Sequence, residues 1–312
     1  MGTSRGRAIF VPKQFGVLGR GEESRSNRVD ADADVREMNG EPLICIDSDG
    51  TIMDTMTVKH LRSFGPCLFD AFPLPPHREE ILNEWNRLNL YSLTRGINRF
   101  QGLKAILLFV KERYGYAPEG LEDFEDFVDH SSALSNDALG GWITKSSHPA
   151  CLKMALEWSN LVNASIASLP PAQEFEGVKE TLKTLSLFAD LLGVSSANKD
   201  AVYEEWTSRG LMPYFLDCAC QDKGSKKDII AQGLALGYSP DNVVMLGDAL
   251  GDLKAAEANH VHFYPIIPTK EAESWERLQK EVAPLIEKGQ YHDEVEARYI
   301  HEFHDFLENG GK

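Results

Sequence analysis

The sequence predicts an α/β fold in which a parallel sheet, covered by helices on both faces, is interrupted by a long all-helical insert. Three observations lead there. The apolar run 43–46 stops abruptly at Asp47-Ser48-Asp49-Gly50-Thr51, which reads as a buried strand ending in a glycine turn. From near Phe175 onward, short strand-like runs alternate with helix-periodic ones. Between them, residues 59–172 show apolar spacing of three and four and no convincing strand.

The elements follow in order. Leu43 to Ile46 is apolar and β-branched enough for a strand buried on both faces. Helices are predicted over 58–72, 77–90, 97–114, 121–130 and 151–169, with breaks at Pro73, Pro75 and Pro76, at Gly115 to Pro118, and at Pro170-Pro171. The run 187–196 is a second strand ending in Ser195-Ser196-Ala197-Asn198, and 201–209 is a helix. A strand over 214–220 precedes a helix over 227–236, closed by Gly237. The strand 243–246 ends in Gly247-Asp248, 253–258 is a short helix, and 261–267 is the last strand. Amphipathic helices over 271–288 and 292–307 complete the chain. The division predicted is a disordered tail over 1–40, a first core segment over 41–58, a helical cap over 59–172 and a second core segment over 173–312.

At 312 residues, 42% apolar and 26% charged, the composition is that of a globular protein. No apolar run approaches the ~18–20 residues of a membrane span, and no secretory apolar segment opens the chain, so a cytoplasmic address is expected. The arginines and lysine of the tail leave an organellar presequence as the alternative. A net charge of −16 disfavours nucleic acid and anionic membranes as partners, and an anionic substrate must be attracted by local charges. The five cysteines are scattered without zinc spacing and read as reduced thiols. The expected state is a monomer or homodimer.

Two carboxylates at the end of a parallel strand sit where open sheets bind their ligands. At roughly 4 Å and an effective dielectric of about 20, an uncompensated pair costs on the order of 4 kcal/mol, so a cation is expected beside Asp47 and Asp49. A calcium loop is the competing reading. It requires glycine at the sixth position and glutamate at the twelfth, where this chain has Ile52 and Val58.

Three further features stand at strand or helix ends: Ser196 after the second strand, Lys226 after Gly224-Ser225, and Gly247-Asp248 through Asp252. With Asp47-Ser48-Asp49-Gly50-Thr51 this set resembles the four motifs of the haloacid dehalogenase (HAD) superfamily, and the helical insert resembles that family's C1 cap. The resemblance runs from about Leu43 to Ile267 and implies a Rossmann-like sheet beneath a mobile cap. It also implies roles. Asp47 is the nucleophile that forms an aspartyl-phosphate, and Asp49 the general acid and base. Mg²⁺ is held by Asp47, the Asp49 carbonyl and Asp248, with Asp252 behind them or serving as a helix N-cap. Ser196 and Lys226 bind phosphoryl oxygens, and Gly50, Thr51, Ala197 and Asn198 surround them. Ser196 is preferred to Ser195 because Ala197-Asn198-Lys199 then match the family's following residues. Lys226 is preferred to Lys223 and Lys227 because Ile229 and Ile230 pack the helix that it opens.

Asp49 argues against the family's dehalogenases, which lack a second carboxylate, and favours phosphate esters. The segment 93–99 resembles the substrate loop of C1-capped sugar-phosphate enzymes, β-phosphoglucomutase among them, which points Arg95 and Arg99 at substrate. His60, or Lys59 beside it, falls near that enzyme's early cap histidine, with one extra residue before His60. The expectation is a Mg²⁺-dependent phosphatase acting on a small phosphorylated metabolite. A sugar phosphomutase and a non-catalytic binding scaffold are the alternatives.

Overall fold

The computed structural model describes residues 41–311; the tail predicted over 1–40 lies outside them. The first strand, β1 (Leu43–Ile46), is buried at every position. The chain then leaves the sheet through α1 (Met56–Lys59), a π-helical turn (His60–Phe64) and α2 (Gly65–Ala71). It continues through α3 (Arg78–Leu90), α4 (Arg99–Tyr114), α5 (Leu121–His130), α6 (Asn136–Ile143) and α7 (Ala150–Ala167). It re-enters through α8 (Val178–Leu185), β2 (Asp190–Val194), α9 (Lys199–Ser208), β3 (Asp217–Ala219) and α10 (Lys226–Leu234). β4 (Val243–Gly247), α11 (Leu250–Ala258) and β5 (His262–Pro265) complete the sheet. Then come α12 (Glu271–Arg277), a second π-helical turn (Leu278–Val282), α13 (Ala283–Glu287) and α14 (Asp293–Glu308).

The five strands are parallel in the order β3-β2-β1-β4-β5. Strand alternation divides the core into two layers. Ile44, Ile46, Leu191, Val244 and Leu246 face α8, α9 and the C-terminal helical segments around Trp275 and Val282. Leu43, Cys45, Leu192, Val243 and Met245 face α10, α11 and α14. Both faces are covered, which is why these strands read as continuous apolar runs. The insert has a third cluster of its own, built around Trp85, Phe100, Phe127 and Trp158. Sheet and insert nevertheless form one compact unit over the described residues. Among the described residues no helix is long and apolar enough to cross a membrane.

Several predicted boundaries move for identifiable reasons. The helices expected over 58–72 and 271–288 are each interrupted by a π-helical turn that runs into a proline, Pro66 or Pro284. A proline ring has no N–H to donate and clashes with the carbonyl four residues back, so the preceding turn widens. The strand expected over 214–220 shortens to β3 because Met212–Tyr214, with Pro213 inside it, forms a 3₁₀ turn. α6 was not expected. Gly140 and Gly141 lie within it, each costing about 1 kcal/mol of helix propensity, and the Ser135 cap with the buried Leu139 offset them.

The sheet order fixes where the site lies. β2 and β3 extend to one side of β1, and β4 and β5 to the other. The connection that changes sides leaves a crevice beyond the carboxyl ends of β1 and β4. Asp47 follows β1 there and Asp248 follows β4.

Candidate active site

Asp47 is still tied to the sheet, its N–H donating to the Leu246 carbonyl at 3.0 Å. The chain then turns tightly, and the Ser48 carbonyl accepts from the N–H groups of Thr51, Ile52 and Met53. Gly50 makes that turn possible. Its φ is +83°, and a Cβ there would lie 2.4 Å from Asp248 Oδ2. Two tryptophans brace the loop: Trp206 Nε1 donates to Ser48 Oγ at 3.0 Å, and Trp275 Nε1 to the Thr51 carbonyl at 2.9 Å.

Asp47, Asp248 and Asp252 converge beyond the sheet edge, each offering one carboxylate oxygen, and these lie within 4.8 Å of one another. All three residues are buried. Lys226, the first residue of α10, reaches them from a capping box formed by Ser225 and Asp228. Its Nζ lies 2.8 Å from Asp47 Oδ1 and also bonds Asp252 Oδ1. Asp252 spends its other oxygen on the Ala249 N–H, so it caps α11 while facing the cluster. Thr51 Oγ1 donates to Asp248 Oδ1 at 3.0 Å. Asp248 Oδ2 is held by Arg95 of the insert, 2.7 Å from Nε and 2.6 Å from Nη2.

The charges are unevenly settled. Burial pushes the Asp47 carboxyl well above its ordinary range; Lys226 opposes this, and Asp252 and Asp248 reinforce it. Burial likewise raises Asp252 against the pull of Lys226. Burial alone would lower Lys226, but Asp252 and Asp47 hold it firmly protonated. Full ionisation of three buried carboxylates therefore asks for more positive charge than Lys226 and Arg95 supply. Their oxygens are hard donors, and the set fits a small hard dication.

Asp49 is separate from this cluster. Lys59 Nζ lies 3.0 Å from its Oδ1, and Thr55 Oγ1 donates to the same oxygen at 2.5 Å. Burial works to raise this carboxyl, but Lys59 and Thr55 outweigh it and hold it below its ordinary value. Glu205 of α9 lies nearby, raised by burial and by the Asp49 charge. Glu205 had no sequence signal, being an unremarked position on a helix face.

The expected substrate residues fall differently. Ser196 is exposed, whereas Ser195 at the end of β2 is buried, its Oγ accepting from the Ala197 N–H at 3.1 Å. The buried hydroxyl thus stands one residue earlier than expected. Ala197 is half-buried beside it. Asn198 is the N-cap of α9, its carbonyl oxygen committed to the N–H groups of Asp200 and Ala201, so its side chain is spent on the helix. Arg99 does not reach the carboxylates. Its Nη1 donates to Ser159 Oγ at 3.1 Å and Asn163 Oδ1 at 2.7 Å, and its guanidinium lies over the Phe64 ring. His60 stacks on Phe64 with its Nδ1 buried and unpartnered. Burial, helped by the Arg95 charge, drives its pKa down to about 3, so the imidazole is neutral.

The family described as haloacid dehalogenase-like hydrolase matches residues 97–266, more than half of the chain, and the chain belongs to that family. No curated protein matches the sequence. Among solved structures it is similar to a haloacid dehalogenase-like hydrolase family protein from Streptococcus pneumoniae, at 13% identity and a TM-score of 0.47 over 77% of this chain and 92% of that one. It is also similar to a predicted phosphoglycolate phosphatase from Haemophilus somnus, at 17% identity and 0.45 over 76% and 92%. A predicted phosphatase from Clostridium acetobutylicum aligns at 14% identity and 0.46 over 78% and 99%.

Proposed function

We propose that this haloacid dehalogenase-like hydrolase is a Mg²⁺-dependent phosphatase that moves the phosphoryl group of a small phosphomonoester first to Asp47 and then to water. The observation that carries this is the buried cluster of Asp47, Asp248 and Asp252 against Lys226 at the crevice beyond β1 and β4. An Asp47 oxygen attacks phosphorus, and the ester P–O bond breaks. Asp49 gives its proton to the leaving oxygen, then takes one from the water that attacks the aspartyl-phosphate, which returns Asp47 as a carboxylate and releases phosphate. Lys226 and the buried Ser195 hydroxyl would hold the phosphoryl oxygens, while the N–H groups of Gly50 and Thr51 are spent within the turn on the Met53 and Ser48 carbonyls. Asp47, the Asp49 carbonyl and Asp248 would hold Mg²⁺, with Asp252 behind them. When bound, the ion offsets charge on the non-bridging phosphoryl oxygens.

Arg99 gives a second reading its footing. Its polar partners among the described residues are neutral oxygens, so the guanidinium retains charge for a second anionic group of the substrate. A sugar phosphomutase would use that grip. A phosphate-release screen over phosphorylated metabolites, with Mg²⁺ and then with EDTA, tests the proposal. Turnover should require the metal, and Asp47→Asn should lower it by roughly 10⁴-fold or more. Turnover primed by a bisphosphorylated sugar, with no net phosphate release, would favour the mutase. Absence of turnover with every ester would leave the chain a binding scaffold.

A further inference from the structure

The loop over residues 92–97 joins α3 to α4 within the insert, yet its tip is anchored on the sheet. Arg95 Nε donates to Asp248 Oδ2 at 2.7 Å and to the Asp248 carbonyl at 3.1 Å, Nη2 lies 2.6 Å from the same Oδ2, and Nη1 donates to the Leu90 carbonyl at 2.9 Å. Both side chains are 2% exposed. Two glycines make room for the contact, one on each side. Gly96 has φ +73°, and a Cβ there would lie 2.8 Å from Ala249 Cβ; a Cβ on Gly50 would lie 2.7 Å from Arg95 Nη2. The two guanidinium N–H groups fill the lone pairs of Asp248 Oδ2, and Thr51 takes one on Oδ1.

We propose that Arg95 and the divalent cation compete for Asp248, so that the 92–97 loop is a latch which the metal releases. This rests on the reading that Asp47 and Asp248 hold Mg²⁺. A guanidinium cannot shed its proton, and buried like charges on one carboxylate are poorly screened. Movement of Arg95 away from Asp248 Oδ2 relieves that repulsion. Glu271, at the start of α12, lies within electrostatic reach of Arg95. By linkage, the latch weakens the metal by the same factor as the metal weakens the latch.

Two measurements on the full chain, with MgCl₂ and no phosphate compound, test this. In titration calorimetry Arg95→Gln should bind Mg²⁺ roughly tenfold more tightly than wild type. In amide hydrogen exchange, Mg²⁺ should speed exchange at residues 92–98 of the wild type, where the N–H groups of Arg95 and Ile97 bond within the loop. Equal Mg²⁺ affinities, or wild-type exchange unchanged or slowed by Mg²⁺, overturn the latch and leave the phosphatase standing. If the variant fails to fold, the wild-type exchange decides alone. Mg²⁺ binding to neither protein would overturn the metal site and the latch together.

Discussion

Asp47 and Asp49 are two residues apart, each is paired with a lysine, and the two pairs are built differently. Asp47 meets Lys226 at 2.8 Å with side chains 7% and 17% exposed, and both groups come from the sheet and its helices. Asp49 meets Lys59 at 3.0 Å with 30% and 26% exposed, and Lys59 ends α1, at the entrance to the insert. The first pair is shared with Asp252, so one lysine serves two carboxylates and Asp47 remains raised by burial. The second is nearly self-contained, and Asp49 is lowered. The difference teaches where charge is secured. The core leaves Asp47 short of positive charge, a need that the proposed Mg²⁺ would meet. The insert supplies Asp49 with a cation of its own, which keeps that group in its base form while Lys59 remains close.

Removing the lysines one at a time should break the comparison most visibly. Lys226→Met keeps the stem but leaves Asp47 and Asp252 without a counter-charge, a loss of about 3–5 kcal/mol for a broken buried pair. Added Mg²⁺ should restore part of it. Lys59→Met should cost about 1 kcal/mol or less, because both partners are partly solvated. Its signature lies in the pH profile instead. Losing Lys59 raises the Asp49 pKa, and a general acid works while protonated, so the descending limb of kcat should move to higher pH. Equal losses of stability in the two variants, read by urea unfolding, would erase the distinction drawn between the pairs.

The role given to Asp49 is sharpened by leaving groups. Asp49→Asn should slow alkyl phosphate esters by roughly 10²–10⁴-fold and p-nitrophenyl phosphate much less, since that leaving group needs little protonation. A uniform loss across both would show that Asp49 acts through Lys59 or the metal and not as the acid.

What was legible in the sequence follows the same division. β1, β4 and the carboxylates after them were readable because a buried strand leaves an apolar run and stops at a polar turn. Lys226 was readable because it opens a helix whose apolar spacing identifies it. The contacts between Arg95 and Asp248, 153 positions apart, obey no spacing rule and required the fold. Lys59 and Asp49 are ten apart, but whether they meet depends on the turn between them and on how α1 leaves it. α6 was hidden by its two glycines, and the π-helical turns by apolar spacing that runs on through Pro66 and Pro284. Ser195 and Ser196 are adjacent and alike, so only burial separates them. Ser195→Ala should therefore raise KM or lower kcat by about tenfold, from a lost hydrogen bond to charge of about 1.5 kcal/mol. Ser196→Ala should stay within about twofold of wild type. The reverse order would return the phosphate contact to Ser196.

The smallest effect expected lies far from the crevice and serves as the control for the others. His262 on β5 bonds Glu296 of α14 at 2.6 Å through Nδ1, and the other Glu296 oxygen accepts the Phe263 N–H at 2.7 Å. The Glu296 hydrogen bond, outweighing burial, raises the His262 pKa above its ordinary 6.5. A group raised on folding contributes stability that is fully present below the unfolded-state value and is lost as pH rises through the folded one. Glu296→Gln keeps an acceptor for Phe263 but removes the charge. Its penalty should be about 1 kcal/mol, or roughly 2–4 °C in melting temperature, below about pH 6, and should shrink above the raised pKa, where neutral His262 retains only an ordinary hydrogen bond. Because neither residue approaches the carboxylate cluster, the change should leave Mg²⁺ affinity untouched. A penalty constant from pH 5 to pH 9 would mean that the imidazole is neutral throughout and that the β5–α14 contact rests on packing and the Phe263 bond alone.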